Sequence, residues 1–211
     1  MAGPLQLEFV TSGSRVEELP PSAAEITIVG RSNVGKSSLI NALAHQRRLA
    51  HVSNTPGRTR LLNLFRVADQ SNRARAAEAA GNTAILTKTV VDLPGYGFAK
   101  APAAIRAQWQ QMIEGYLLER ENLHMVVVLI DGVIGATDLD HQMLAWLRAE
   151  NLPHNVVATK FDKVKSSKRE SQRAKIARSC DLDPGDVTWV SAERGLGVDR
   201  LRSLIRLWLS E

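Results

Sequence analysis

One cysteine, Cys180, stands in the 211 residues, so no internal disulfide can form, and a reducing, cytoplasmic setting is expected. With no partner pattern around it, Cys180 is expected to be structural. No apolar run approaches the roughly 20 residues of a membrane span. The start of the chain (Met1 to Glu8) has neither a basic n-region nor an apolar h-region, so no secretory signal is expected. Zinc-ligand spacing is missing as well, because His45, His51, His124, His141 and His154 are scattered. Residues 69–83 contain no large apolar side chain, so this Ala/Arg-biased stretch cannot supply a core face; an exposed hairpin insert is expected. What the chain does have is length enough for one buried core without disulfides or metals. Its formal charge of +5 and pI near 9.7 are compatible with a nucleic-acid partner, although charge alone is weak evidence.

The richest stretch is Gly30-Arg31-Ser32-Asn33-Val34-Gly35-Lys36-Ser37-Ser38. It fits the G-x-x-x-x-G-K-[ST] phosphate loop, whose backbone N–H groups wrap a nucleotide's phosphates. The required context flanks it: Glu25 to Val29 reads as a buried strand, and Ser38 to Ala44 as a helix. Gly30 and Gly35 permit a sharp turn and close approach, and the helix N-terminus adds unpaired N–H groups. Lys36 is expected to reach the outer phosphates and Ser37 to ligate Mg2+. A nucleoside triphosphate ligand follows.

Beyond the loop, strand and helix patterns alternate. Strands are expected at Leu61–Val67, Ile85–Val91, Met125–Ile130, Asn155–Thr159 and Val187–Val190. Helices are expected at Pro102–Arg120, Asp138–Glu150 and from Val198 onward. This alternation predicts an α/β fold: a doubly wound, mostly parallel sheet with helices on both faces. The two strands without a helix between them predict an antiparallel pair at the sheet edge. Residues 1–24, broken by Pro20-Pro21, read as a leader in which Phe9-Val10 forms a short strand or packs on the domain edge; residues 25–211 read as one domain. Trp109 and Tyr116 are expected to pack in the core.

Each chemical motif falls just after a strand, where open α/β sheets bind ligands. Asp92-Leu93-Pro94-Gly95 fits Asp-x-x-Gly, with Asp92 acting through a magnesium-bound water and the Gly95 N–H meeting the terminal phosphate. Thr59, in the loop Thr55-Pro56-Gly57-Arg58-Thr59, is the candidate second magnesium hydroxyl. Thr159-Lys160-Phe161-Asp162 selects the base: a carboxylate at 162 accepts from the ring N–H and exocyclic amino group of guanine, donors that adenine lacks at those edges. The Lys160 stem covers the base plane, and Ser191-Ala192, after Val190, offers backbone N–H to the guanine carbonyl. Lys36, Thr59 and Gly95 are the catalytic candidates. The basic stretch Lys163 to Arg178 is read as a solvated face or a contact for nucleic acid.

These elements, in this order, resemble Ras-like GTPases of the TrmE-Era-EngA-EngB-Septin-like group. The details at 30–43, 55–59, 92–97, 119–123, 129–131 and 159–162 resemble the bacterial EngB branch over about residues 9–209. The resemblance implies a monomeric GTPase acting in assembly of the large ribosomal subunit and linked to cell division and septation. The 69–83 insert departs from the family's short turn. Where Ras-type enzymes place a water-orienting glutamine after Asp-x-x-Gly, this chain has Tyr96, so slow intrinsic hydrolysis is expected. Asn33 stands where related potassium-activated GTPases hold K+, which makes potassium a candidate. The rivals are a nucleic-acid-binding assembly module with little turnover and a P-loop ATPase.

Overall fold

The computed structural model describes residues 3–50, 61–68, 86–96 and 103–210, with residues 103–109 by their backbone alone. Its strands are β1 (Leu7–Gly13), β2 (Ser22–Gly30), β3 (Leu62–Val67), β4 (Leu86–Asp92), β5 (Leu123–Asp131), β6 (His154–Thr159) and β7 (Thr188–Trp189). The helices are α1 (Lys36–Ala44), α2 (Ala103–Glu119), α3 (Asp138–Ala149), α4 (Arg169–Ser179) and α5 (Val198–Trp208). One sheet carries all seven strands in the order β1-β3-β4-β2-β5-β6-β7. Only β3 runs against its neighbours. The expected doubly wound α/β sheet is present.

The centre of the sheet is apolar on both faces, as a covered parallel strand must be. Along β5, Val127 and Leu129 turn toward α1 and α5, while Val126, Val128 and Ile130 turn toward α2, α3 and α4. Helix α5 follows the three- and four-residue spacing of its apolar positions, burying Val198, Leu201, Ile205 and Trp208. Burying each aliphatic side chain of this kind contributes about 1.5–3 kcal/mol. Arg202 of α5 also donates to the Leu43 and Ala42 carbonyls, joining the Leu5 and His45 N–H groups that meet the same acceptors and tying α5 to the end of α1. Among the described residues no helix is long and apolar enough to cross a membrane.

Two expectations change. Part of the supposed leader belongs to the sheet: β1 pairs antiparallel with β3, and Leu5 and Leu7 are buried on the α1 side. The β3–β4 pair is antiparallel as expected, yet β1 and not β3 forms the edge. The register shifts between Phe9 and Thr11, and exposed Glu8, Phe9 and Val10 interrupt the alternation that would have marked a strand in the sequence. The readings of 51–60 and 69–83, and of the Trp109 side chain, lie outside the described residues.

At the amino ends of the strands, Glu25 is a buried carboxylate with a full set of donors. It accepts from Tyr116 Oη at 2.6 Å, Thr89 Oγ1 at 2.7 Å, and Arg120 Nε and Nη2 at 2.8 and 2.7 Å. Arg120 Nη2 also donates to the Pro20 carbonyl and Asn122 to that of Ser22, so the turn after α2 is tied to the start of β2. Tyr116 is thus a core residue whose hydroxyl has a task. Burial first, and then the adjacent Glu25 charge, push its phenol well above the usual range.

Candidate nucleotide site

The register of the parallel strands brings the motifs together. Gly30 lies opposite Leu129, Asp92 opposite Ile28, and Asp131 opposite Thr159, so the loops after β2, β4, β5 and β6 emerge at the same edge. Trp189 pairs with Ala158 and brings the turn after β7 alongside.

The phosphate loop is shaped by close packing. A Cβ on Gly30 would meet Val34 Cγ1 at 2.9 Å and Leu129 Cβ at 3.0 Å, so no larger residue fits there. Gly35 has φ of 104°, a left-handed conformation that favours glycine, and it stands immediately before α1. Thr159 Oγ1 donates to the Val34 carbonyl at 2.6 Å and anchors the loop to β6. Lys36 and Asp92, both almost fully buried, form an ion pair directly with one another. Ser37 and Asp92 line a shared cleft of about 300 Å3, together with Asn63, Ala50, Phe9 and Phe65.

The turn after β6 is equally fixed. Lys160, in a left-handed conformation, donates from Nζ to the Asn33 carbonyl and to Asp131 Oδ2, each at 2.7 Å. Its stem therefore spans from β6 to the phosphate loop. Burial works against ionisation of Asp131, but the Lys160 ammonium and the Val133 and Ile134 N–H groups outweigh it, and the carboxyl sits below its ordinary range. The Phe161 N–H donates to the Val190 carbonyl at 3.1 Å, its ring packs on Trp189 at 5.3 Å, and half-buried Asp162 follows. The Ser191 N–H, expected to face the base, instead donates to the Leu196 carbonyl at 2.8 Å because the turn closes on itself. Ala192, the next residue, is half-buried.

Residues 25–160 match the family described as 50S ribosome-binding GTPase. Over 205 residues the chain is 42% identical to the probable GTP-binding protein EngB of Geobacter sulfurreducens, covering 97% of this chain and 91% of that one. The probable EngB of Desulforamulus reducens is 43% identical over 200 residues, at 94% and 90% coverage. The chain belongs to the EngB family of GTP-binding proteins. It is a P-loop GTPase. Among solved structures, one of a probable GTP-binding protein engB aligns with a TM-score of 0.65 and 22% identity, covering 89% of this chain and 99% of that one. Era in complex with MgGDPNP and nucleotides 1506–1542 of 16S ribosomal RNA aligns with a TM-score of 0.63 and 21% identity, at 88% and 57% coverage. At these identities the likeness shows a shared fold.

In this EngB chain the residue after Gly95 is held by the phosphate loop. Tyr96 N–H donates to the Gly30 carbonyl and its carbonyl accepts from Ser32 N–H, a short parallel bridge between Arg31 and Tyr96. The Tyr96 hydroxyl donates to Asp140 Oδ1 at 2.8 Å, and Arg31 Nε lies 3.2 Å from Asp140 Oδ2. Burial first, then Asp140, raise the Tyr96 phenol well above its usual range. Asp140 itself accepts from Thr137 N–H and Oγ1, both at 2.8 Å, at the start of α3.

Asp131 and Asp140 are the residues that motif reading left without a role. A signal for Asp140 exists: it continues the apolar spacing of Leu144 and Leu147, which puts an acid on the buried face of α3, where it is fully enclosed. Of the basic stretch, Arg169 and Arg173 place their guanidinium carbons 4.6 and 5.0 Å from the Phe161 ring centroid. They brace the turn after β6, while Lys163, Lys165, Lys168, Lys175 and Arg178 remain exposed. Gly57, Arg58 and Thr59 lie outside the described residues.

Proposed function

We propose that the carboxyl edge of this sheet is a guanine-nucleotide switch of slow turnover that acts in assembly of the large ribosomal subunit. The observation that carries the nucleotide reading is convergence: the loop at 30–38, Asp92 to Gly95, Thr159 to Asp162 and the turn after Val190 all open at one edge. In this reading the loop of Arg31, Ser32, Asn33, Val34 and Gly35 holds the phosphates with Lys36, and Asp162 reads guanine beside Lys160 and Phe161.

The residues also fit Mg2+. Ser37 and the buried Asp92 share a cleft, and Asp92 has the carboxylate to hold a metal-bound water. Among the described residues no cluster of three or more His, Cys, Asp or Glu could hold an ion alone, which suits a metal carried largely by phosphates and water. When bound, Mg2+ neutralises charge on the outer phosphates. Ser37 would hold it, with Thr59 as second hydroxyl; the chain's part is to orient the phosphates and to exclude water behind Leu93 and Pro94. Tyr96 has its hydroxyl engaged by Asp140, so it does not orient water as a glutamine would, and turnover stays slow until a partner or a K+ ion near Asn33 completes the site. Equal turnover in sodium and potassium would remove the ion from this account.

The ribosomal role rests on the family description, 50S ribosome-binding GTPase, and on the exposed cations of 163–178 within a net charge of +5. Links to cell division and septation, a cytoplasmic location and a monomeric state belong to the same reading. Co-sedimentation with isolated 50S and 30S subunits tests it. Association with 50S under a non-hydrolysable GTP analogue and release under GDP are expected; equal binding in all states removes the switch.

A further inference from the structure

Buried polar side-chain atoms without a hydrogen-bond partner among the described residues are few: Arg31 Nε, Ser32 Oγ, Asn155 Oδ1, Arg173 Nε and Trp189 Nε1. Two of them lie in the phosphate loop. Arg31 at least has the Asp140 carboxylate nearby, at 3.2 Å. Ser32 has nothing for its hydroxyl. A buried hydroxyl is costly to leave unpaired, so an orphan at a ligand site points to a group supplied by the ligand.

The surroundings say which group. The Ser32 N–H is committed to the Tyr96 carbonyl at 3.1 Å, so only the side chain of this residue is free to meet a ligand. Gly95 lies directly against it: a Cβ built on Gly95 would sit 3.1 Å from both Ser32 N and Ser32 Oγ. Gly95 is the residue whose N–H is assigned to the outermost phosphate, and Tyr96 beyond it is turned to Asp140. A hydroxyl offers one donor, and terminal phosphate oxygens are charged acceptors. We infer that the Ser32 hydroxyl donates to the terminal phosphate of the bound nucleotide and so lets the loop tell a triphosphate from a diphosphate. This inference rests on the guanine-nucleotide reading of the site.

The test is Ser32→Ala, assayed by titrating fluorescent GDP and a fluorescent non-hydrolysable GTP analogue into the full chain with Mg2+. Ser32 has no left-handed backbone angle, so alanine is sterically permitted, and no existing hydrogen bond is lost. Thermal unfolding of the nucleotide-free variant is therefore expected to match or exceed that of the native chain. Loss of one hydrogen bond to a charged acceptor predicts triphosphate binding weaker by about 10- to 100-fold, with GDP binding within about twofold. Unchanged triphosphate affinity overturns the assignment, and so does equal weakening of both nucleotides, which marks a distorted loop. A native chain that binds neither nucleotide overturns the guanine-nucleotide reading, and this inference with it.

Discussion

Two buried acids of the central sheet, Glu25 near its amino end and Asp92 at its carboxyl end, are partnered in opposite ways. At the amino end, Glu25 meets Tyr116, Thr89 and a two-pronged Arg120, and every oxygen is satisfied by the chain itself. At the carboxyl end, among the described residues, Lys36 and Asp92 pair with one another alone and Ser32 Oγ has no partner. A finished network holds a fold together; an unfinished one keeps its donors and acceptors for a ligand. At the carboxyl end the finished networks of Asp131 and Asp140 stand beside the open one, so the contrast lies between Glu25 on one side and Lys36, Asp92 and Ser32 on the other.

Removing Glu25 should produce the largest effect. Glu25→Ala leaves Arg120 without its carboxylate and should lower unfolding free energy by about 3–5 kcal/mol in urea titration. The nucleotide affinity of the chain that remains folded should be unchanged. A loss under about 1 kcal/mol, or a coupled fall in affinity, would break the contrast between the ends.

Next in size is Asp162→Asn. GTP should bind about 100-fold more weakly by calorimetric titration, because one charged acceptor facing two guanine donors is lost. The melting temperature should stay within about 2 °C, since half-buried Asp162 braces nothing in the core. A large stability loss would place this residue in the fold and not in the site.

Alkaline pH probes the amino end again. The Tyr116 phenol is raised in the folded chain by burial and by Glu25, so the unfolded chain ionises first. Its contribution is fully present below about pH 10 and is lost above that, at up to about 1.4 kcal/mol per pH unit. Urea midpoints measured between neutral pH and pH 11 should show this decline, and Tyr116→Phe should make it shallower, leaving the share due to the similarly raised Tyr96. An equally steep decline in that variant would mean another group governs it.

The smallest effect is expected from Asp140→Asn. Removing the charge beside Tyr96 should lower the pH at which that phenol ionises, read by ultraviolet absorbance in a Tyr116→Phe background. An unmoved titration would show that Asp140 does not govern Tyr96.

The architecture and the placing of the motifs just after strands were legible in the sequence because each depends on local pattern. The apolar runs at 125–130 and 155–159 mark covered strands, and Gly-Lys-Ser after a strand marks the phosphate loop. Of strand β1 only Phe9-Val10 was legible, because a register shift and the exposed run Glu8, Phe9 and Val10 blur its alternation. The Asp140–Tyr96 and Asp131–Lys160 contacts join residues 44 and 29 positions apart, and no periodicity encodes such a meeting. The committed Ser191 N–H was hidden for the same reason: its partner, Leu196, is set by how a turn closes. Arg169 and Arg173 read as part of a charge run, whereas the fold lays them on an aromatic ring.

The most direct test of the carboxyl edge as a guanine-nucleotide site is the affinity of the full chain for GTP and ATP, measured side by side by calorimetry with Mg2+. GTP binding at least about 100-fold tighter than ATP is predicted, because adenine leaves the Asp162 carboxylate without its donors. Equal affinities, or tighter ATP binding, would contradict it.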